Sequence, residues 1–182
     1  MELEQNTENG QLDIERRVRL ARENFRNGYN CAQSVVLAYH DLWALDRETA
    51  AASMSAFGGG MGRMREVCGT VSGMAFLAGM ISPATDPKNM AARKDNYALI
   101  QNFAGKFREM NGSIVCRELL GLVPKNPQPA ADGSGSRQAA VGIESPAPSE
   151  RTAEYYRKRP CEEYVADAAR IVGEYIAAKR RE

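Results

Sequence analysis

Cys68-Gly69-Thr70-Val71-Ser72-Gly73-Met74-Ala75-Phe76-Leu77-Ala78-Gly79-Met80-Ile81-Ser82 carries no charged side chain. A bilayer-spanning helix needs about 20 apolar residues, and this run has only about 15. The segment therefore reads as a buried central helix near residues 68–82 of a soluble domain. The sequence on either side agrees. Upstream, Ile14, Val18, Ala21 and Phe25 fall on one helical face, and Gly28 ends that helix. A second helix is predicted from Asn30-Cys31 through Val35, Val36, Tyr39 and Trp43. Asp46 is a natural cap for a third, through Thr49, Met54 and Phe57. That helix must stop at Gly58-Gly59-Gly60-Met61-Gly62, because glycine is costly in a helix interior.

Downstream, Asp86-Pro87 predicts another helix start, with Met90, Tyr97, Ile100, Ala104 and Phe107 at helical spacing and Gly112 as the stop. Cys116 heads a short helical segment. Arg151 to Lys158 reads as a helical turn. Pro160-Cys161 begins a last amphipathic helix through Val165, Ala168, Ile171, Val172 and Ile176. No stretch alternates as a strand should. The predicted fold is all-α, a single-domain bundle of about six to seven helices spanning 12–182. Residues 1–11 read as a disordered tail. The stretch 124–150 holds five Pro, three Gly and four Ser, and reads as an insertion or linker.

Charge narrows the function. Lys plus Arg total 24 against 23 for Asp plus Glu. That balance gives no electrostatic case for nucleic acid or an anionic membrane surface. The first residues are polar, and Arg16-Arg17 is followed by Val18-Arg19-Leu20-Ala21-Arg22-Glu23 rather than an apolar stretch, so no secretory signal is expected. The expected location is cytoplasmic, where thiols stay reduced.

Four cysteines then become the candidate centre: Cys31, Cys68, Cys116 and Cys161. No C-x-x-C pair exists, so any shared site must be assembled by tertiary packing. Their placement carries more information than their spacing. Each is predicted in or beside the first turn of a helix, where unpaired N–H groups and the dipole favour a thiolate. Arg63 and Arg65 near Cys68, and Lys158 and Arg159 near Cys161, push the same way. Thiolates bind soft metals and attack disulfides. The competing reading is that cysteines are small core fillers in a helical interaction or scaffold module. Gly69 and Gly73 share a helix face, so either a bound group or another helix can come close there. The Gly-rich loop lacks the G-K-[ST] ending of a phosphate-binding loop.

The motifs Gly28-Tyr29-Asn30-Cys31-Ala32-Gln33, Phe57-Gly58-Gly59-Gly60-Met61-Gly62 and Cys68-Gly69-Thr70-Val71-Ser72-Gly73 occur in that order. Cys116 before Leu119-Leu120-Gly121 and Cys161 before Val165 follow them. This pattern resembles the C-GCAxxG-C-C family of four-cysteine redox proteins over residues 15–178. The resemblance implies a redox or metal centre built on Cys31, Cys68, Cys116 and Cys161. Its implied occupant is an iron–sulfur cluster or another thiophilic metal, with Gly58, Gly59, Gly60, Gly62, Gly69 and Gly73 giving access. It also implies a redox partner protein or oxidoreductase; a homo-oligomer is a further expected partner. Without a metal, pairs of the thiols would cycle through disulfides, and a structural zinc site is a third alternative. Thr70 stands where the family usually has Ala. The insertion at 124–150 leaves open a variant in which Cys161 lies outside the site.

Among other residues, His40 is the only histidine and falls on the helix face opposite Cys31. Met54, Met61, Met64, Met74 and Met80 read as packing residues rather than ligands. Tyr155 and Tyr156 read as packing near Cys161. No substrate or reaction follows from the sequence.

Overall fold

The computed structural model describes residues 7–8, 11–122 and 145–181. The chain is all-α, with eight α-helices among the described residues. Thr7–Glu8 (β1) and Gln11–Leu12 (β2) pair as a two-residue antiparallel ladder, so the end of the tail read as disordered is paired. Most of the insertion, residues 123–144, lies outside the described residues.

Helix α1 (Ile14–Arg26) is capped by Asp13, which accepts from the Arg16 N–H at 2.8 Å. It buries Val18, Ala21 and Phe25. Helix α2 (Cys31–Leu37) opens with a capping box. The Asn30 side chain accepts from Gln33 N–H, and the Gln33 side chain accepts from Asn30 N–H, each at 2.9 Å. This helix is shorter than its apolar spacing predicts. It does not reach Trp43 but gives way to a 3₁₀ turn at His40–Trp43, after which Ala44 adopts a left-handed φ of 50°. At the end of α2 the Ala38 and Tyr39 N–H groups bond the Val35 and Val36 carbonyls, three residues back rather than four, and buried Arg17 donates to the Ala38 carbonyl at 2.7 Å.

Arg17 also pairs with Asp41, with Nη2 to Oδ2 at 3.0 Å, and its guanidinium lies 5.3 Å from the centre of the Tyr39 ring. Tyr39 in turn donates to the Ala169 carbonyl at 2.6 Å. Arg17→Ala leaves a half-buried Asp41 and a buried carbonyl without their donor. It is expected to cost about 3 kcal/mol, the low end for breaking a buried pair. The urea midpoint reads this directly, and a loss under about 0.5 kcal/mol would mark the pair as surface-like.

Helix α3 (Arg47–Ser53) is capped by Asp46 as predicted, with Thr49 N–H at 2.8 Å. A 3₁₀ turn at Ser55–Phe57 replaces its expected last turn. Helix α4 (Gly69–Ile81) is the apolar segment quoted first. It buries Val71, Met74, Leu77 and Ala78. Helix α5 (Met90–Asn111) starts three residues after Asp86-Pro87, which the sequence suggested as its start. Asp86 instead closes a turn onto Lys88 N–H at 2.9 Å, and Asn89 caps the helix on Ala92 N–H at 3.0 Å. Gly112, with φ of 85°, ends it as expected. Three helices remain: α6 (Cys116–Leu119), α7 (Ala153–Lys158) and α8 (Cys161–Lys179).

Helix α1 packs along α8, and α2 packs along α4. Helix α8 shares the centre of the bundle with α4, touching α1, α2, α4 and α5. Its Val165, Ala168, Ala169 and Val172 are fully buried. No described helix is long and apolar enough to cross a membrane.

Candidate functional site

Each cysteine sits where its helix begins. Cys31, Cys116 and Cys161 are the first residues of α2, α6 and α8, and Cys68 is the capping residue of α4. Three local features bring these starts together. The capping pair of α2 also anchors it: Asn30 donates to the Met54 and Ser55 carbonyls at 3.0 Å each, and Gln33 donates to the Ala51 carbonyl at 2.9 Å. Segments 65–68 and 114–117 then lie antiparallel. Cys68 N–H donates to the Ile114 carbonyl at 2.8 Å, and Cys116 N–H donates to the Glu66 carbonyl at 2.6 Å. Finally, Tyr164 of α8 donates to the Leu119 carbonyl of α6 at 3.2 Å, fixing the end of α8 that bears Cys161.

The Gly-rich loop makes this approach feasible. Gly59, Gly60, Met61, Gly62 and Arg63 all have positive φ, as does Arg65. Only glycine takes that conformation at little cost. The N–H groups of Gly62, Arg63, Arg65 and Glu66 donate back to carbonyls at 56–60 within the same loop. These four N–H groups are thus engaged inside the loop itself. A side chain at Gly60 would place its Cβ 2.6 Å from the Cys116 Cβ, and one at Gly69 would sit 3.1 Å from the Cys31 Cβ.

The result is one small cavity of about 60 Å³ lined by all four cysteines. Gly59, Gly60 and Gly69 also line it. Gly58, Gly62 and Gly73 do not. Gly58 packs on Asn30 and Gly73 on α2, while Gly62 faces open space. Cys161 lies in the same cavity as the other three, so the arrangement that left it outside does not occur.

Electrostatics divides the four thiols. Burial pushes Cys68 up to about 11, against a hydrogen bond with the Thr70 hydroxyl at 3.1 Å. Burial also raises Cys116, although the Arg65 guanidinium hydrogen-bonds its sulfur and pulls the other way. Cys31 and Cys161 act on each other most strongly: their contact raises Cys31, with burial adding to the effect. It lowers Cys161, and Arg159, Arg65 and Arg151 add to that lowering against burial. The placement at helix starts predicts four thiolates. Burial opposes it at Cys68 and Cys116, the Cys161 contact together with burial opposes it at Cys31, and only Cys161 is shifted toward the thiolate.

The family model described as "Putative redox-active protein (C_GCAxxG_C_C)" matches residues 29–175. The chain belongs to this family. No match is found among curated proteins or among solved structures.

In this C_GCAxxG_C_C protein the donor type suits a thiophilic metal or an iron–sulfur group. The spacing does not. Among the described residues, no group of three or more His, Cys, Asp or Glu side chains is placed to hold a metal ion. The Thr70 departure from the family pattern is felt locally, because its hydroxyl reaches the Cys68 sulfur.

His40 bonds the Leu45 carbonyl through Nδ1 at 2.7 Å and does not line the cavity. Met74 is fully buried, Met54 and Met61 line an apolar groove elsewhere, and no methionine lines the cysteine cavity. Arg63 turns away to the Ser145 carbonyl at 2.8 Å. Arg65 serves Cys116 rather than its near neighbour Cys68. Tyr155 packs edge-on to Tyr156 and also lines the cavity. Two lining residues, Arg151 and Tyr164, were not singled out from the sequence. Arg151 lies 4.6 Å from the centre of the Phe25 ring and donates to the Tyr29 carbonyl at 2.8 Å. Only its position close to the start of α7 and α8 hinted at this.

Proposed function

We propose that this protein is a thiol–disulfide redox protein in which Cys161 is the attacking thiolate and Cys31 the resolving thiol. The carrying observation is that all four cysteines line one cavity together with Arg65, Arg151 and Arg159, and Cys161 is the thiol shifted toward its thiolate there. A thiolate next to a protonated thiol is the arrangement that thiol–disulfide exchange requires. Cys161 attacks one sulfur of an incoming disulfide, forming a mixed disulfide and expelling the first thiolate. That thiolate takes up the proton released by Cys31. The Cys31 sulfur then attacks the Cys161 sulfur and expels the second thiolate, which is protonated from water. Two cysteines are thereby oxidised to a Cys31–Cys161 disulfide, and the incoming disulfide is reduced to two thiols. Cys68 and Cys116 stay protonated at neutral pH and complete the cavity wall.

The disulfide is carried by a small molecule or by a redox partner protein, and a reducing cytoplasm resets the pair. Titration with a disulfide under native conditions, followed by peptide mapping, tests the reading. The expected product is a Cys31–Cys161 disulfide with Cys68 and Cys116 still alkylatable. A different pairing overturns it. So does one equivalent of tightly held iron or zinc in anaerobically purified protein, which would put metal ligation by the four cysteines in its place.

A further inference from the structure

The cavity that holds the thiols is lined by three arginines, Arg65, Arg151 and Arg159. Among the described residues, no Asp or Glu lines it. Glu66, next to Arg65 in the chain, pairs with Arg117 at 2.7 Å, and Glu162, next to Cys161, pairs with Arg22 and Arg26. All three lining cations are held in place. Arg65 is 2% exposed and hydrogen-bonds the Cys116 sulfur. Arg151 donates to the Phe25 and Tyr29 carbonyls. Arg159 lies 5.0 Å from the centre of the Tyr155 ring. A cleft lined by one sign of charge with low-dielectric walls concentrates ions of the opposite sign. The three cations outnumber the one thiol shifted toward its thiolate, Cys161, so the lining is net positive toward whatever comes in.

We infer that the cavity is an anion-selective entry site, and that the disulfide presented to Cys161 is a small molecule bearing a carboxylate or similar anion close to its sulfur. The inference rests on the thiol–disulfide reading and names its substrate class.

Two small disulfides of similar size test it: bis(carboxymethyl) disulfide, which is dianionic, and cystamine, which is dicationic. The rate of mixed-disulfide formation at Cys161 is followed by mass spectrometry at low ionic strength. Each rate is divided by that of the urea-unfolded chain, which cancels the difference in leaving group. The expected result is a preference for the dianion of about tenfold or more in the folded protein. It should shrink steeply at high salt. Arg159→Gln should lose most of it, and Arg159→Lys should keep it. Normalised rates that are equal, or that favour cystamine, overturn the inference even if the Cys31–Cys161 disulfide forms. A dianion preference in which the mixed disulfide never passes on to Cys31 leaves the inference standing and sinks the redox reading alone. Failure of both reagents to reach Cys161 overturns both.

Discussion

Replacing Cys161 with serine is expected to slow the reaction of the native protein with disulfides at pH 7 by about 100-fold or more. The remaining thiols explain the size of the effect. Burial raises Cys68 to about 11, so its thiolate fraction at neutral pH is lower than that of an ordinary thiol by about two orders of magnitude. Cys31 and Cys116 are raised as well. Cys68→Ser should leave the rate nearly unchanged, and a large loss there would refute the assignment of Cys161. The pH profile adds a sign. Cys161 reactivity should rise with pH and reach half-maximum below the ordinary thiol range, because its contact with Cys31 and the nearby Arg159, Arg65 and Arg151 favour its thiolate. Cys31→Ala removes that contact, so the midpoint should move to higher pH. Stability runs the opposite way at Cys68. Its folded pKa lies above the unfolded value, so its contribution is fully present below the unfolded value of about 8.5. That contribution is lost as pH rises through about 11.

Gly60→Ala is expected to destabilise the protein by about 3 kcal/mol, a combination of the left-handed penalty and a steric overlap. Gly60 has φ of 71°, and an added Cβ would stand 2.6 Å from the Cys116 Cβ and 2.9 Å from the Glu66 backbone nitrogen. Neither neighbour can yield cheaply, because Glu66 and Cys116 are tied to each other by a 2.6 Å backbone hydrogen bond. For a chain of this length the melting temperature should fall by roughly 6–12 °C. Gly62→Ala is the control. Gly62 has a similar φ of 54°, but its nearest neighbour would be the Ala56 carbonyl at 4.0 Å. Only the left-handed penalty of about 1 kcal/mol applies there. Equal losses at the two positions would show that contact with Cys116 contributes nothing.

Local signals were legible where one residue type has one physical use. Asp46 caps, Gly112 stops a helix, and Pro160-Cys161 starts one, as their chemistry requires. Helix ends differ where the backbone tightens into a 3₁₀ turn. At the end of α2 the Ala38 and Tyr39 N–H groups bond the Val35 and Val36 carbonyls, and no pattern between 31 and 43 announces it. The start of α5 shifted because Asp86 and Asn89 are both good caps, and sequence alone does not rank them.

For the site the division is similar. The sequence by itself determined that four cysteines stand at four helix starts: Cys31 follows a capping Asn, Cys161 a Pro, and Cys68 and Cys116 come a few residues after glycine-bearing turns. It also determined the glycines at 60 and 69, whose missing side chains leave room for Cys116 and Cys31. Only the tertiary structure decided that the four starts meet at one cavity. It also decided that Cys31 faces Cys161, and that Arg151 joins Arg65 and Arg159 around them. The ionisation of each thiol was decided there too. A helix start favours a thiolate through local dipoles, but burial and partner identity are non-local, and at Cys31, Cys68 and Cys116 they prevail.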